Sequence, residues 1–216
     1  MFLSAKFPVW PAATALLLYL LIFTLIVSAL VFFLRGPMRK YKYADMRVFE
    51  TIQPIRSNSL DVFMVAVTFL GKHQFLIPAN FLLIGIFVLS ENYRQYAFYV
   101  LLVSMSSLLL MFALKHLFHR KRPEKHLLFK ARGKSFPSGH AIMAVTFYGL
   151  LLHIFLHTNA FPDANPFVII LTIALILLIG FTRIYLRVHY TSDVLAGFII
   201  GSSWLYISLF VLKQTT

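Results

Sequence analysis

Phe136-Pro137-Ser138-Gly139-His140 stands between a basic stretch and the largely apolar run from Ala141 to His157. How this junction is read decides the rest of the chain. Pro137 suits the region of a helix start, and the Ser138 hydroxyl is placed to cap free backbone N–H groups. Gly139 has no side chain, so a ligand can approach its backbone closely. A helix N-terminus with exposed N–H groups is an anion site, and His140 stands at its mouth as a candidate proton donor. Taken alone, the pentapeptide also fits an ordinary capped helix start with a solvated His.

Composition narrows the choice. Of the 216 residues, 60% are hydrophobic and 12% charged, against about 45–50% and about 25% in soluble domains. The chain is therefore expected to be an integral membrane protein, with room for one membrane domain and short loops over residues 1–216. It has no cysteine, which excludes disulfides and thiolate metal sites. A net charge of +13 on so apolar a chain points to acidic partners. Membrane-lipid headgroups and phosphate substrates fit this better than nucleic acid, since no soluble module is present to carry a binding face.

Outward from the junction, hydrophobic runs predict an all-α membrane bundle of six transmembrane helices. They are Ala12 to Leu34, His73 to Ser90, Tyr96 to Phe118, Ser138 to His157, Phe167 to Tyr185 and Tyr190 to Leu212. The first exceeds a signal-peptide core and is read as a retained span. Arg35 to Arg56 reads as a polar connection with breakers at Gly36-Pro37 and Gln53-Pro54. Leu60 to Leu70 is too short to cross and is expected as an interfacial or re-entrant helix ending at Gly71. Six crossings put the ends of spans one, three and five on the same face as the starts of two, four and six. That face gathers Lys115, Arg122, His140, Arg183, His189 and Asp193.

Two further clusters join the first on that face. Lys115 lies near the end of a span, where a cation is expensive unless it snorkels or meets an anion, and Arg122-Pro123 opens the following loop. In the second, Arg183 offers a planar donor fork suited to phosphate oxygens. If a helix opens at Tyr190, His189 and Asp193 share one face at a spacing of four. A carboxylate accepting from one ring nitrogen fixes the tautomer and leaves the other nitrogen more basic, which is the arrangement of an oriented nucleophile or base. An ion pair at a helix cap would use the same residues.

In order, the three clusters read Lys115-x6-Arg122-Pro123, Pro137-Ser138-Gly139-His140 and Arg183-x5-His189-x3-Asp193. This resembles the signature of the type 2 phosphatidic acid phosphatase (PAP2) superfamily, which includes lipid phosphatases, glucose-6-phosphatase and vanadium haloperoxidases. One departure is Thr182, where the family usually has Ser; the hydroxyl is kept. The resemblance implies a membrane lipid phosphatase with His189 as nucleophile, Asp193 orienting it and His140 as the acid that protonates the leaving oxygen. It also implies phosphate-holding roles for Lys115, Arg122, Ser138, Gly139 and Arg183, a phosphohistidine intermediate, and neither cofactor nor metal. Seven Asp and Glu in all are sparse material for a Mg²⁺ site.

His153 and His157 have a spacing that can hold zinc, but they lie roughly 20 Å along a helix from His140, with no Cys or Glu nearby in sequence. Other functions stay open at this point: a phosphotransferase with an acceptor other than water, or a six-span anion or lipid transporter. Transport paths usually carry polar residues deep in their spans, and these spans are nearly devoid of charge. Sidedness divides the arguments. All Lys and Arg but Lys6, Arg94 and Lys213 fall on the site face, which the positive-inside rule assigns to the cytoplasm. The resemblance implies a site on the extracytoplasmic face of the cell membrane with cytoplasmic termini, because bacterial relatives acting on envelope lipids mostly work there.

Overall fold

The structure, a computed structural model, describes residues 38–124, 133–158 and 162–213, with scattered positions between 14 and 28. The described elements are helical throughout. They are α1 (Met38–Ile52), α2 (Asn58–Phe69), α3 (His73–Leu89), α4 (Arg94–Leu117), α5 (Gly139–Thr158), α6 (Asn165–Tyr185) and α7 (Thr191–Lys213). Single 3₁₀ turns follow α1 and precede α6.

By length and composition, α4, α5, α6 with its preceding turn, and α7 can each cross a membrane, at 20–24 residues. At ~1.5 Å per residue that is about 30–36 Å, enough for the hydrocarbon core. Their outward faces carry exposed large apolar side chains such as Leu109, Phe112, Phe167 and Ile170, as lipid contact requires. Helices α2 and α3 together meet the same test but are bent by 42° at the intervening break. The described residues thus hold four such helices, five if the bent pair is one crossing. Most of the expected span Ala12 to Leu34 lies outside the described residues.

One expectation is corrected. Arg35 to Arg56 is not a plain polar connection, for it contains α1. Gln53-Pro54 follows this helix as a 3₁₀ turn rather than interrupting it, and Gly36-Pro37 lies outside the described residues. Asp45, Phe49 and Ile52, spaced at four and three, form its buried face. Phe49 packs with Tyr185, Leu186, Val188, Tyr190 and Val194 around the α6–α7 connection.

Helix α5 is the central element. It is flanked by α4, α6 and α7, and its residues Ala141, Ile142 and Ala144 are fully buried. The α5–α7 crossing is close because α7 presents Gly197 and Gly201. A Cβ on Gly197 would lie 2.8 Å from Ala141 Cβ and 2.9 Å from the Ser138 carbonyl oxygen. Small residues four apart permit such approach between membrane helices. The crossing brings the first residues of α5 against the first residues of α7, so the second motif meets the end of the third.

Candidate active site

His189 is delivered by the turn between α6 and α7. Arg187 takes the left-handed conformation at φ 52°, and the Arg183 carbonyl then accepts from the N–H groups of both Val188 (3.1 Å) and His189 (3.2 Å). The Arg187 guanidinium anchors this strained turn on α1 through the Phe49 carbonyl and Gln53 Oε1, each 3.2 Å away. His189 itself is only 1% exposed.

Its ring is held between two charged groups. Arg122 Nη1 lies 3.3 Å from Nε2 and also donates to the Val188 carbonyl at 2.8 Å. A guanidinium only donates, so Nε2 carries the lone pair and the ring proton sits on Nδ1. Nδ1 faces Asp193 Oδ2 at 3.6 Å, beyond a close hydrogen bond. Burial pushes the His189 pKa down to about 4, opposed by Asp193 and reinforced by the cations Arg122 and Arg183. Burial thus favours the neutral imidazole, with its lone pair on Nε2.

Asp193, with no exposed surface, is saturated. Oδ1 accepts from Arg120 Nη1 at 2.7 Å, while Oδ2 accepts from the Tyr190 N–H at 2.9 Å and from the Ser135 hydroxyl. The Ser135 N–H bonds the Arg120 carbonyl, so both ends of the basic segment after α4 converge on this carboxylate. No motif in the sequence marks Arg120 or Ser135 as a site residue, nor Asp45, which accepts from Arg120 Nη2 at 2.8 Å.

The α5 start lies opposite. The helix opens at Gly139, and Ser138 joins it to α7 through its N–H, which donates to the Asp193 carbonyl at 3.0 Å. The expected cap does not form: Ser138 Oγ is buried without a hydrogen-bond partner. His140 Nε2 and Arg183 Nε share that condition, although Arg183 Nη1 donates to Thr68 Oγ1 at 2.7 Å. A Cβ on Gly71, in the α2–α3 break, would lie 2.7 Å from Ile179 Cγ2 and 3.0 Å from the His140 ring, so glycine lets the break pack closely on both.

Lys115 packs along Gly139, its Cε 3.8 Å from where a Cβ would be, and lies within electrostatic reach of Arg122, Arg183 and Asp193. Lys72 and Lys115 both come within such reach of His140. All eight residues expected from the three motifs thus converge, with Thr182 behind them bonded to the Ile179 carbonyl at 2.6 Å. The His153 and His157 rings lie 3.9 Å apart, tilted by 38°, further along α5, and among the described residues no group of three metal-ligating side chains includes them.

The family model of the PAP2 superfamily matches residues 95–215. Phosphatidylglycerophosphatase B of Bacillus subtilis (strain 168) is 31% identical over 160 residues, covering 73% of this chain and 78% of the relative. The crystal structure of a transmembrane PAP2 type phosphatidylglycerolphosphate phosphatase from Bacillus subtilis superposes with a TM-score of 0.78 at 24% identity, over 93% of this chain and 97% of the other. That of Aquifex aeolicus LpxE gives 0.61 at 29% identity, over 76% and 93%.

Proposed function

Because the chain belongs to the PAP2 superfamily and is a metal-independent membrane lipid phosphatase, we propose that it removes the terminal phosphate of an amphiphile through a phosphohistidine on His189. The observation that carries this reading is that Ser138 Oγ, His140 Nε2 and Arg183 Nε are buried without partners, on residues that lie within electrostatic reach of His189 or bond directly to the start of α7. A buried unpaired polar group costs about 1–3 kcal/mol, and a phosphate placed among them would satisfy all three.

In the proposed reaction the phosphate lies between Lys115, Arg122, Arg183, the Ser138 hydroxyl and the first N–H groups of α5, displacing Arg122 from Nε2. The His189 Nε2 lone pair attacks phosphorus as the bond to the lipid oxygen breaks. His140 gives its proton to that oxygen; the negative charge of the bound phosphate favours the protonated imidazole beforehand. Asp193 steadies the cationic phosphorylated ring through Nδ1–H. Water then yields a proton to His140 and attacks phosphorus, the N–P bond breaks, and inorganic phosphate leaves with both histidines restored. Three cations and backbone donors stabilise the charge of each transition state.

Phosphatidylglycerol phosphate is the first substrate to assay, given what the Bacillus subtilis relative is called. Phosphatidic acid, undecaprenyl pyrophosphate and a lipid A phosphate complete the panel. Detergent-purified protein is expected to release inorganic phosphate from at least one, and His189→Ala to release none. Near-normal release by His189→Ala would remove the mechanism. We place the site on the extracytoplasmic face of the cell membrane with both termini cytoplasmic, attributing the basic bias of the site face to anionic headgroups and substrate. A reporter fused after Thr216 that is active only outside the cytoplasm would reverse that placement.

A further inference from the structure

We propose that Asp45 and Arg120 are positioning residues that set how strongly Asp193 acts on His189; this rests on the reading of His189 as nucleophile. The Arg120 guanidinium is divided between two buried carboxylates, Nη1 on Asp193 Oδ1 at 2.7 Å and Nη2 on Asp45 Oδ2 at 2.8 Å. Ser192 closes the ring, taking a bond from Arg120 Nη1 (2.7 Å) and giving its hydroxyl (2.7 Å) and N–H (3.0 Å) to Asp45. The Tyr190 ring covers the guanidinium at 4.2 Å. So committed, Arg120 is no phosphate ligand, although it stands two residues from Arg122.

The geometry assigns the group two effects. By taking Oδ1, Arg120 fixes the carboxylate rotamer that turns Oδ2 toward His189 Nδ1. The charge balance is the second. Asp193 and Arg120 alone would sum to zero, leaving the cationic phosphorylated ring no net negative charge on its Nδ1 side, away from the phosphoryl group that Arg122, Arg183 and Lys115 hold. Asp45 makes the triad net −1. Asp45 therefore stabilises the charged ring, and Arg120 tempers it so that the empty site keeps His189 neutral and nucleophilic. Two like-signed carboxylates sharing one guanidinium, 148 residues apart in sequence number, meet only because α1 packs on the α6–α7 connection.

The test titrates His189 in the full-length, substrate-free protein by NMR of ring-labelled histidine, with the signal assigned by His189→Ala. Asp45→Asn is expected to lower the His189 pKa and Arg120→Gln to raise it, each by roughly half to one unit, since a charge one group removed acts less than a direct neighbour. The double variant should titrate near wild type. Turnover of a lipid phosphate should fall roughly 10–100-fold in kcat with KM little changed, as expected for small misplacement of a reacting group. Arg120→Lys keeps the charge without the fork, so it should keep the wild-type titration while losing kcat, and it carries the test should Arg120→Gln fail to fold. An unmoved His189 titration in folded Asp45→Asn, together with wild-type kcat in Asp45→Asn and Arg120→Lys, would overturn the proposal. Turnover by His189→Ala would instead remove the nucleophile reading on which it rests.

Discussion

The two sides of His189 are built from the same kinds of residue and bonded in opposite ways. Behind the ring, Asp45, Arg120, Ser135, Ser192 and Asp193 exchange hydrogen bonds until each carboxylate oxygen has a donor. Among the motif residues, Ser138 Oγ, His140 Nε2 and Arg183 Nε are buried with none; on the supporting side His189 Nδ1 and Thr191 Oγ1 are the exceptions to that pairing. A satisfied buried network rigidifies, whereas an unsatisfied one lowers stability. On the proposed reading, the difference separates a side that holds geometry from a side that takes the phosphate. Substitutions on the two sides should therefore divide cleanly between activity and stability.

The largest effect is expected on the unsatisfied side. His140→Ala should lower turnover roughly 10⁴-fold or more, as loss of one member of a unit does, with the melting temperature held within a few degrees. A thermal collapse instead would mean His140 belongs to the scaffold. Next comes Asp193→Asn, where phosphate release should fall roughly 10³–10⁴-fold and a little activity should remain. Here the melting temperature should drop as well, because breaking a buried pair costs about 3–5 kcal/mol. Smaller again, Ser138→Ala is expected to reduce kcat/KM about 10-fold while stability stays level or rises by about 1 kcal/mol, since a partnerless hydroxyl is removed. A clear loss of stability in Ser138→Ala, measured by thermal unfolding in detergent, would erase the contrast between the sides. The smallest effect expected is from a chelator: EDTA should leave the rate unchanged while vanadate inhibits.

The same contrast explains what is legible in the sequence. The residues proposed to bind or react stand in short motifs at fixed spacing, so the motifs, through the family resemblance they carry, name His140, His189, Asp193 and the cations. The apolar runs mark the four long helices to within two residues, because lipid demands about 20 apolar residues wherever the chain crosses. The supporting side leaves no such trace. Arg120 sits among Lys115, His116, His119, Lys121 and Arg122, and no local pattern tells which of these turns inward. Its partner Asp45 lies on α1, whose polar composition hides a helix with one buried face. Ser138 misleads for a related reason: the capping pattern is local, but the close α5–α7 crossing commits its backbone N–H to the Asp193 carbonyl, and its hydroxyl is buried without a partner. The choice between enzyme and transporter, open on composition, closes with the family match over residues 95–215.

The central claim is that His189 becomes covalently phosphorylated on Nε2. It is tested most directly by rapid quenching of the purified protein with a lipid phosphate radiolabelled in its terminal group. A protein-bound label is expected that survives alkali and is lost in acid, as a phosphoramidate is, and that is absent from His189→Ala. An equal label on His189→Ala, or an acid-stable label on another residue, would contradict it.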